Sequence, residues 1–205
     1  MYEEGISVNI TPVDDIKMEK EAELEEDYLL MCRIVLKDED AYQALVDKYM
    51  LDVFRFSFSL VGQKELAEDI TQDVFTKLWQ KAQMWQPTAS VKTWLLTIAR
   101  NRAIDLLRRQ KPTMELLEDS PCIYAKDADQ DVVLQNHMVE EEIKKSLFLL
   151  PERQKTALTL VYYLECSYKE AAEIMEISLN AFESLIARAK RNLRDILHDK
   201  KEMLI

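Results

Sequence analysis

Glycine and proline are scarce in this chain. Only Gly5, Gly62 and five prolines occur in 205 residues. Tight hairpins need residues that accept positive φ, so a hairpin-rich β fold is disfavoured and an all-α chain is expected. Cysteine is scarce as well. Cys32, Cys122 and Cys166 stand apart with no CxxC pair, and His137 and His198 lie far from one another and from any ligand partner. That spacing offers no zinc-type ligand set, so the thiols read as reduced structural groups, and neither metal nor cofactor is expected. No apolar run approaches the roughly 18 residues that cross a bilayer. The N-terminus is acidic and lacks the basic-then-apolar order of a secretion signal. The expectation is a cytoplasmic protein without membrane insertion. No nucleophile–base pair, glycine-rich phosphate loop or metal cluster is recognisable either. The chain does not read as an enzyme, and no catalytic residue is assigned.

What is present is a 48% hydrophobic composition, enough for one or two small cores. Acidic residues outnumber basic ones and leave a formal charge of −11. The distribution matters more than the sum, because phosphate contacts are local and screened beyond about 10 Å. Acid gathers in the first 27 residues, from Glu3 to Asp27, and again between Glu115 and Asp131. Base gathers at Arg100, Arg102, Arg108, Arg109 and Lys111, and separately at Arg188, Lys190, Arg191 and Arg194. Two basic helices in an acidic chain point to selective contact with DNA and little non-specific adhesion.

Periodicity divides the chain. Residues 1–27 read as a mobile acidic extension. From Tyr28 to Lys111 the pattern is helical: Tyr42, Leu45, Val46, Tyr49 and Val53 mark one buried helix face. Gly62 breaks the chain. A second helix buries Leu66, Ala67, Ile70, Val74 and Leu78, and a third runs from Val91 to Gln110 beyond a loop at Pro87. Residues 112–138 lack periodicity and read as an acidic linker. Four shorter helices are expected over 139–205. Pro151 opens the second, an allowed first-turn position. Ser167 with Glu170 makes a capping box for the third, and Ser178 is the expected N-cap for the last.

The last two helices carry most information. A short helix, Tyr168–Met175, is followed by the turn Glu176-Ile177-Ser178 and a long helix to about His198. Phe182, Leu185, Ile186, Ala189, Leu193, Ile196 and Leu197 share one face of that helix, while Asn180, Ser184, Ala187, Arg188 and Arg191 share the other. Small polar residues first and arginines farther along suit a helix lying in a major groove. An amphipathic bundle helix with a solvated charged face is the alternative. On the helix after Gly62, Asp69, Gln72, Asp73 and Thr76 form an acidic, amide-bearing stripe beside Phe75 and Trp79. It reads as a protein-binding surface, or as solvated polar residues over two core aromatics.

Three stretches are recognisable. Ala67-Glu68-Asp69-Ile70-Thr71-Gln72-Asp73-Val74-Phe75-Thr76-Lys77-Leu78-Trp79 resembles region 2.2 of bacterial sigma factors. Thr93-Trp94-Leu95-Leu96-Thr97-Ile98-Ala99-Arg100-Asn101-Arg102-Ala103-Ile104-Asp105 is similar to their region 2.4. Leu150-Pro151-Glu152-Arg153-Gln154, with Ser167-Tyr168-Lys169-Glu170-Ala171-Ala172-Glu173-Ile174, is similar to region 4. Their order and separation resemble the extracytoplasmic-function (ECF) group, over 28–111 and 139–198.

The resemblance implies two small helical domains, a region 2 bundle and a region 4 helix-turn-helix, joined by a flexible linker. It implies a subunit that binds core RNA polymerase, directs it to promoter DNA and helps melt the minus-ten region. Asp69, Gln72, Asp73, Phe75 and Trp79 would meet the clamp helices of the polymerase largest subunit, and the flap of the second-largest subunit would be a further contact of the protein. Trp85 and Gln86, in the loop to Ser90, would hold a flipped minus-ten base. Leu96, Thr97, Arg100, Asn101 and Arg108 would serve the minus-ten strand. Asn180, Glu183, Ser184, Ala187, Arg188 and Arg191 would face the minus-thirty-five major groove, and an anti-sigma factor would be a further partner. Two departures stand out. Glu176 occupies a turn position where the family often has glycine, and Glu183 places a carboxylate on the expected DNA face. A decoy that sequesters an anti-sigma factor and a stand-alone helix-turn-helix regulator are the alternatives.

Overall fold

The computed structural model describes residues 13–110 and 146–203. The acidic linker, Cys122, His137, Lys111 and the first of the four helices expected after Val139 lie wholly or largely outside the described residues. Among the described residues the chain is helical, with no strand. Four helices make the N-terminal cluster: α1 (Val13–Val35), α2 (Glu39–Val61), α3 (Lys64–Lys81) and α4 (Val91–Gln110), with a short 3-10 turn at Ala82–Met84. Three make the C-terminal cluster: α5 (Glu152–Tyr162), α6 (Tyr168–Ile174) and α7 (Leu179–Met203).

Helix ends follow local chemistry. Asp38 caps α2 by accepting from the Ala41 amide, and Gly62 closes it in the left-handed region at φ 70°. Ser90 caps α4, its Oγ accepting from the Thr93 amide at 3.1 Å. Ser167 and Glu170 form the expected reciprocal box at the start of α6. Ser178 caps α7, accepting from the Ala181 amide at 3.2 Å. Pro151 sits at the N-cap of α5, one residue ahead of the first turn.

The core of the first cluster forms where α2 packs on α1, α3 and α4. Phe56, Leu60, Ile70, Val74, Leu78 and Leu95 are buried there, and burying each such side chain stabilises by about 1.5–3 kcal/mol. In the second cluster Phe182, Ile186 and Ala189 of α7 bury against α5 and α6 with Leu158, Leu160 and Ile174. Asn192 of α7 donates to Gln154 of α5 at 2.8 Å.

The expected boundary after residue 27 falls inside a helix. α1 begins at Val13, and Asp27 is buried. A buried carboxylate needs partners, and α2 supplies them. Lys48 Nζ donates to Asp27 Oδ1 at 2.6 Å, and Tyr49 Oη donates to Oδ2 in a very short bond. Burial and the Asp27 carboxylate raise the Tyr49 phenol, which stays protonated as the donor.

The two clusters touch. α6 packs on α4, and α5 packs on α2.

Candidate nucleic-acid and protein interfaces

The exposed face of α7 matches the expected DNA-reading set. Asn180, Glu183, Ser184, Ala187, Arg188 and Arg191 are all exposed, while Phe182, Leu185, Ile186 and Ala189 are buried beneath them. Ser184 Oγ donates to the Asn180 carbonyl at 3.0 Å, a bond along the helix that leaves the hydroxyl oxygen able to accept. Lys190 belongs to a different surface. Its Nζ lies 3.4 Å from Tyr168 Oη and over the Tyr162 ring, and hydrogen bonds to Tyr162 and Tyr168 hold its pKa above the ordinary lysine value. The turn before α7 is made by Glu176 itself, at φ 55°. Its amide donates to the Glu173 carbonyl and that of Ile177 to the Ala172 carbonyl, each at 3.0 Å. This is the paired-bond helix terminus usually built with glycine. A side chain there costs about 1 kcal/mol.

On α3, Asp69, Gln72 and Thr76 are exposed in one stripe. Asp73 is partly covered and accepts from Arg102 Nε of α4 at 2.5 Å. Trp79 is half-buried, edge-on to Tyr42 at 5.2 Å, with Lys37 Nζ 4.9 Å above its ring. Phe75 corrects the expectation. It is only 6% exposed, because α3 turns it inward with Val74 and Leu78. It supports the stripe from below and offers little surface to a partner.

On α4 the expected minus-ten set divides. Asn101, Arg108 and Arg109 are exposed. Leu96 is fully buried, so it belongs to the core with Val91, Leu95 and Ala99 and cannot touch DNA in this arrangement. Thr97 is half-buried and its hydroxyl donates to the Thr93 carbonyl at 2.8 Å. The Arg100 side chain is 15% exposed. Its Nη1 lies 3.9 Å from Glu176 Oε2, while Asn101 Nδ2 donates to Glu176 Oε1 at 3.2 Å. Burial between the clusters lowers the affinity of Arg100 for its proton, with Glu176 and Glu152 acting the other way. Burial likewise raises the Glu152 carboxyl, opposed by Arg100 and Arg153.

The loop between α3 and α4 is shaped by Trp85. Its ring is half-buried, its Nε1 donates to the Ala89 carbonyl at 3.2 Å, and Tyr28 of α1 lies 6.1 Å away, centroid to centroid. Beside it opens a cavity of about 360 Å³, walled by α1 (Asp27, Tyr28), by the Trp85–Thr93 segment and by α6 (Glu170, Glu173). Sequence reasoning found Trp85 and its loop. It missed Asp27, Tyr28 and the α6 wall, because those residues come from distant parts of the chain. Among the described residues no group of three or more His, Cys, Asp or Glu could hold a metal ion, and no helix is long and apolar enough to cross a membrane.

Comparison with known proteins agrees with the motifs. The family model for sigma-70 region 2 matches residues 45–113, and that for sigma-70 region 4 matches residues 140–193. The chain is 36% identical over 148 residues to the ECF RNA polymerase sigma factor SigM of Bacillus subtilis (strain 168), covering 71% of this chain and 88% of that one. It is 30% identical over 161 residues to the ECF RNA polymerase sigma factor RpoE of Cereibacter sphaeroides, covering 77% and 87%. Among solved structures, the sigma factor RpoE in complex with the anti-sigma factor NepR from Bartonella quintana shares the fold, with a TM-score of 0.65 at 24% identity over 77% of this chain and 96% of that one. CnrH in complex with the cytosolic domain of CnrY does so with a TM-score of 0.64 at 20% identity over 85% and 98%.

Proposed function

Because this chain belongs to the ECF family of RNA polymerase sigma factors, we propose that it binds core polymerase through the α3 stripe, reads the minus-thirty-five element with α7 and holds the melted minus-ten strand on α4 and the Trp85 loop. The observation that carries the reading is the α7 face. Six residues expected at DNA are exposed together on a helix whose opposite side is core. Arg188 and Arg191 reach guanine edges or phosphates, and Asn180 and Ser184 offer short polar groups to other bases. Glu183 selects against phosphate and accepts from a cytosine amine.

Promoter opening needs no catalytic group. The protein must bind a base better when extruded than when stacked, which costs a few kcal/mol per base. Stacking on Trp85 returns about 1–3 kcal/mol, and the cavity beside it has room for a planar base. Asn101 contributes the directional amide, while Arg108 and Arg109 hold neighbouring phosphates. The structural neighbours solved in complex with an anti-sigma factor and with the cytosolic domain of CnrY support an inhibitory protein partner here too.

Run-off transcription with purified core enzyme on a genomic promoter library tests the proposal. Initiation at a discrete subset of promoters is expected. A chain that binds an anti-sigma protein yet directs no transcript in its absence would be the decoy suggested by Glu183.

A further inference from the structure

Helix α1 brings an aromatic to the Trp85 loop from outside the stretch matched to region 2, which begins at residue 45. Its inner face, Asp27, Met31 and Ile34, is buried. Leu24 and Tyr28, about one turn apart on an adjoining face, remain 44% and 45% exposed, and both line the cavity beside Trp85. Two features hold the rings of Trp85 and Tyr28 near one another. Trp85 is pinned by its Nε1 bond to the Ala89 carbonyl. Tyr28 directly follows Asp27, whose carboxylate accepts from Lys48 Nζ and Tyr49 Oη of α2, so a buried polar contact sets the register of α1 at this point. Lys48 also matches the charge of Asp27, which therefore presents no bare anion to the cavity.

The two rings do not stack on one another. Their centroids are 6.1 Å apart and their planes are inclined at 51°, so they open as a wedge. Both belong to the first cluster, and the wedge does not depend on the α6 wall of the cavity. A flat base lying between two rings needs about 7–8 Å, two van der Waals separations, and rotation of the exposed Tyr28 side chain supplies the remaining ~1–2 Å. We propose that α1 supplies the second wall of the minus-ten base site: the extruded base lies between the Trp85 and Tyr28 rings, with Leu24 against its edge. The inference rests on the promoter-opening reading above and adds α1 to it. Stacking on an aromatic ring tolerates any sequence because every base has a π-face, so Tyr28 strengthens the hold on the extruded base without choosing among bases.

The test uses holoenzyme assembled from core polymerase and the full chain. Its DNAs are forks carrying the minus-ten strand of a promoter that the wild-type holoenzyme transcribes, either intact or with one abasic nucleotide at successive minus-ten positions. The extruded position is the one at which base removal cancels the effect of Trp85→Ala. On the intact fork Tyr28→Ala binds roughly five- to fiftyfold more weakly than wild type, and Leu24→Ala about two- to threefold more weakly, with core affinity unchanged. With the base missing at the extruded position, Tyr28→Ala and wild type bind equally, a cancellation that a general loss of structure would not produce. Tyr28→Phe keeps the ring and binds within about twofold of wild type, whereas Tyr28→Leu, apolar but without a ring, binds at least about threefold more weakly. An intact fork held equally by Tyr28→Ala and wild type, or a loss that persists on the abasic fork, would overturn the α1 wall while Trp85→Ala still reports an extruded base. If the wild-type holoenzyme does not hold the fork, or no position cancels Trp85→Ala, the promoter-opening reading falls and the wall with it.

Discussion

The two surfaces assigned to DNA are kept in opposite ways. On α7 the reading residues stand clear of the rest of the protein, and the helix commits only its apolar side to α5 and α6. On α4 the reading residues are interleaved with core and cross-links. Leu96 is buried, Arg102 is held by Asp73, Arg100 and Asn101 face Glu176, and Lys92 pairs with Asp52 of α2 at 2.7 Å. A recognition helix that only docks against duplex can be a free-standing face. A helix that holds an opened strand must be rigid, because the strand is flexible and the extruded base is costly. The difference predicts that substitutions on α4 alter opening and packing together, while those on α7 alter selection alone.

The sharpest way to break that contrast is Asn101→Ala. Open-complex formation by the holoenzyme should fall by roughly ten- to a hundredfold, about 1–3 kcal/mol, with core affinity unchanged in a pull-down titration. Equal losses of opening and core binding would mean a folding defect instead. Next is the pair Asp69→Ala with Gln72→Ala, which should weaken core binding by about tenfold and leave the helical melting profile in place; unchanged core affinity would remove α3 from the interface. Arg188→Ala should cost about 1–3 kcal/mol at the upstream element if it reads a base, relaxing selection there. If it touches phosphate instead, the salt slope drops by about one. An unaltered footprint would return α7 to the role of a bundle helix.

The smallest effect concerns the seam between the clusters. Burial raises the Glu152 carboxyl, and the charged groups around it are Arg100 and Arg153, with Glu176 and Arg108 near Arg100. A raised folded-state pKa means the packed form binds more protons than the unfolded one. The contribution is therefore full below the unfolded carboxylate value and is lost as pH rises through the folded one. Glu152→Gln should melt about 1–3 °C higher than wild type at neutral pH, and the gap should close as pH falls toward about 4.5. A constant gap across that range would show that ionisation at the seam is not responsible.

The helices of the first cluster could be read because their apolar residues recur at helical spacing and Gly62 ends α2 where a left-handed residue was needed. The capping box at Ser167 and Glu170 was legible for the same local reason. The α1 start was not. Residues 13–27 carry many acids and little apolar rhythm, and Asp27 is buried only because Lys48 and Tyr49 meet it from 21 and 22 residues away. Leu96 shows the limit of assigning a motif residue by residue: the stretch around it reaches DNA in the reading, but its own side chain completes the core. Glu176 stood out in the sequence as a missing glycine. Its left-handed backbone and its contact with Asn101, 75 residues upstream, both required the folded chain.

Permanganate probing of one cognate promoter, with core polymerase and this protein both present, bears most directly on the whole account. It predicts reactive thymines confined to the minus-ten region, upstream protection over the α7 contact, and loss of the reactivity but not the protection with Asn101→Ala. Duplex DNA that stays unreactive while the protein is stoichiometrically bound to core would contradict it.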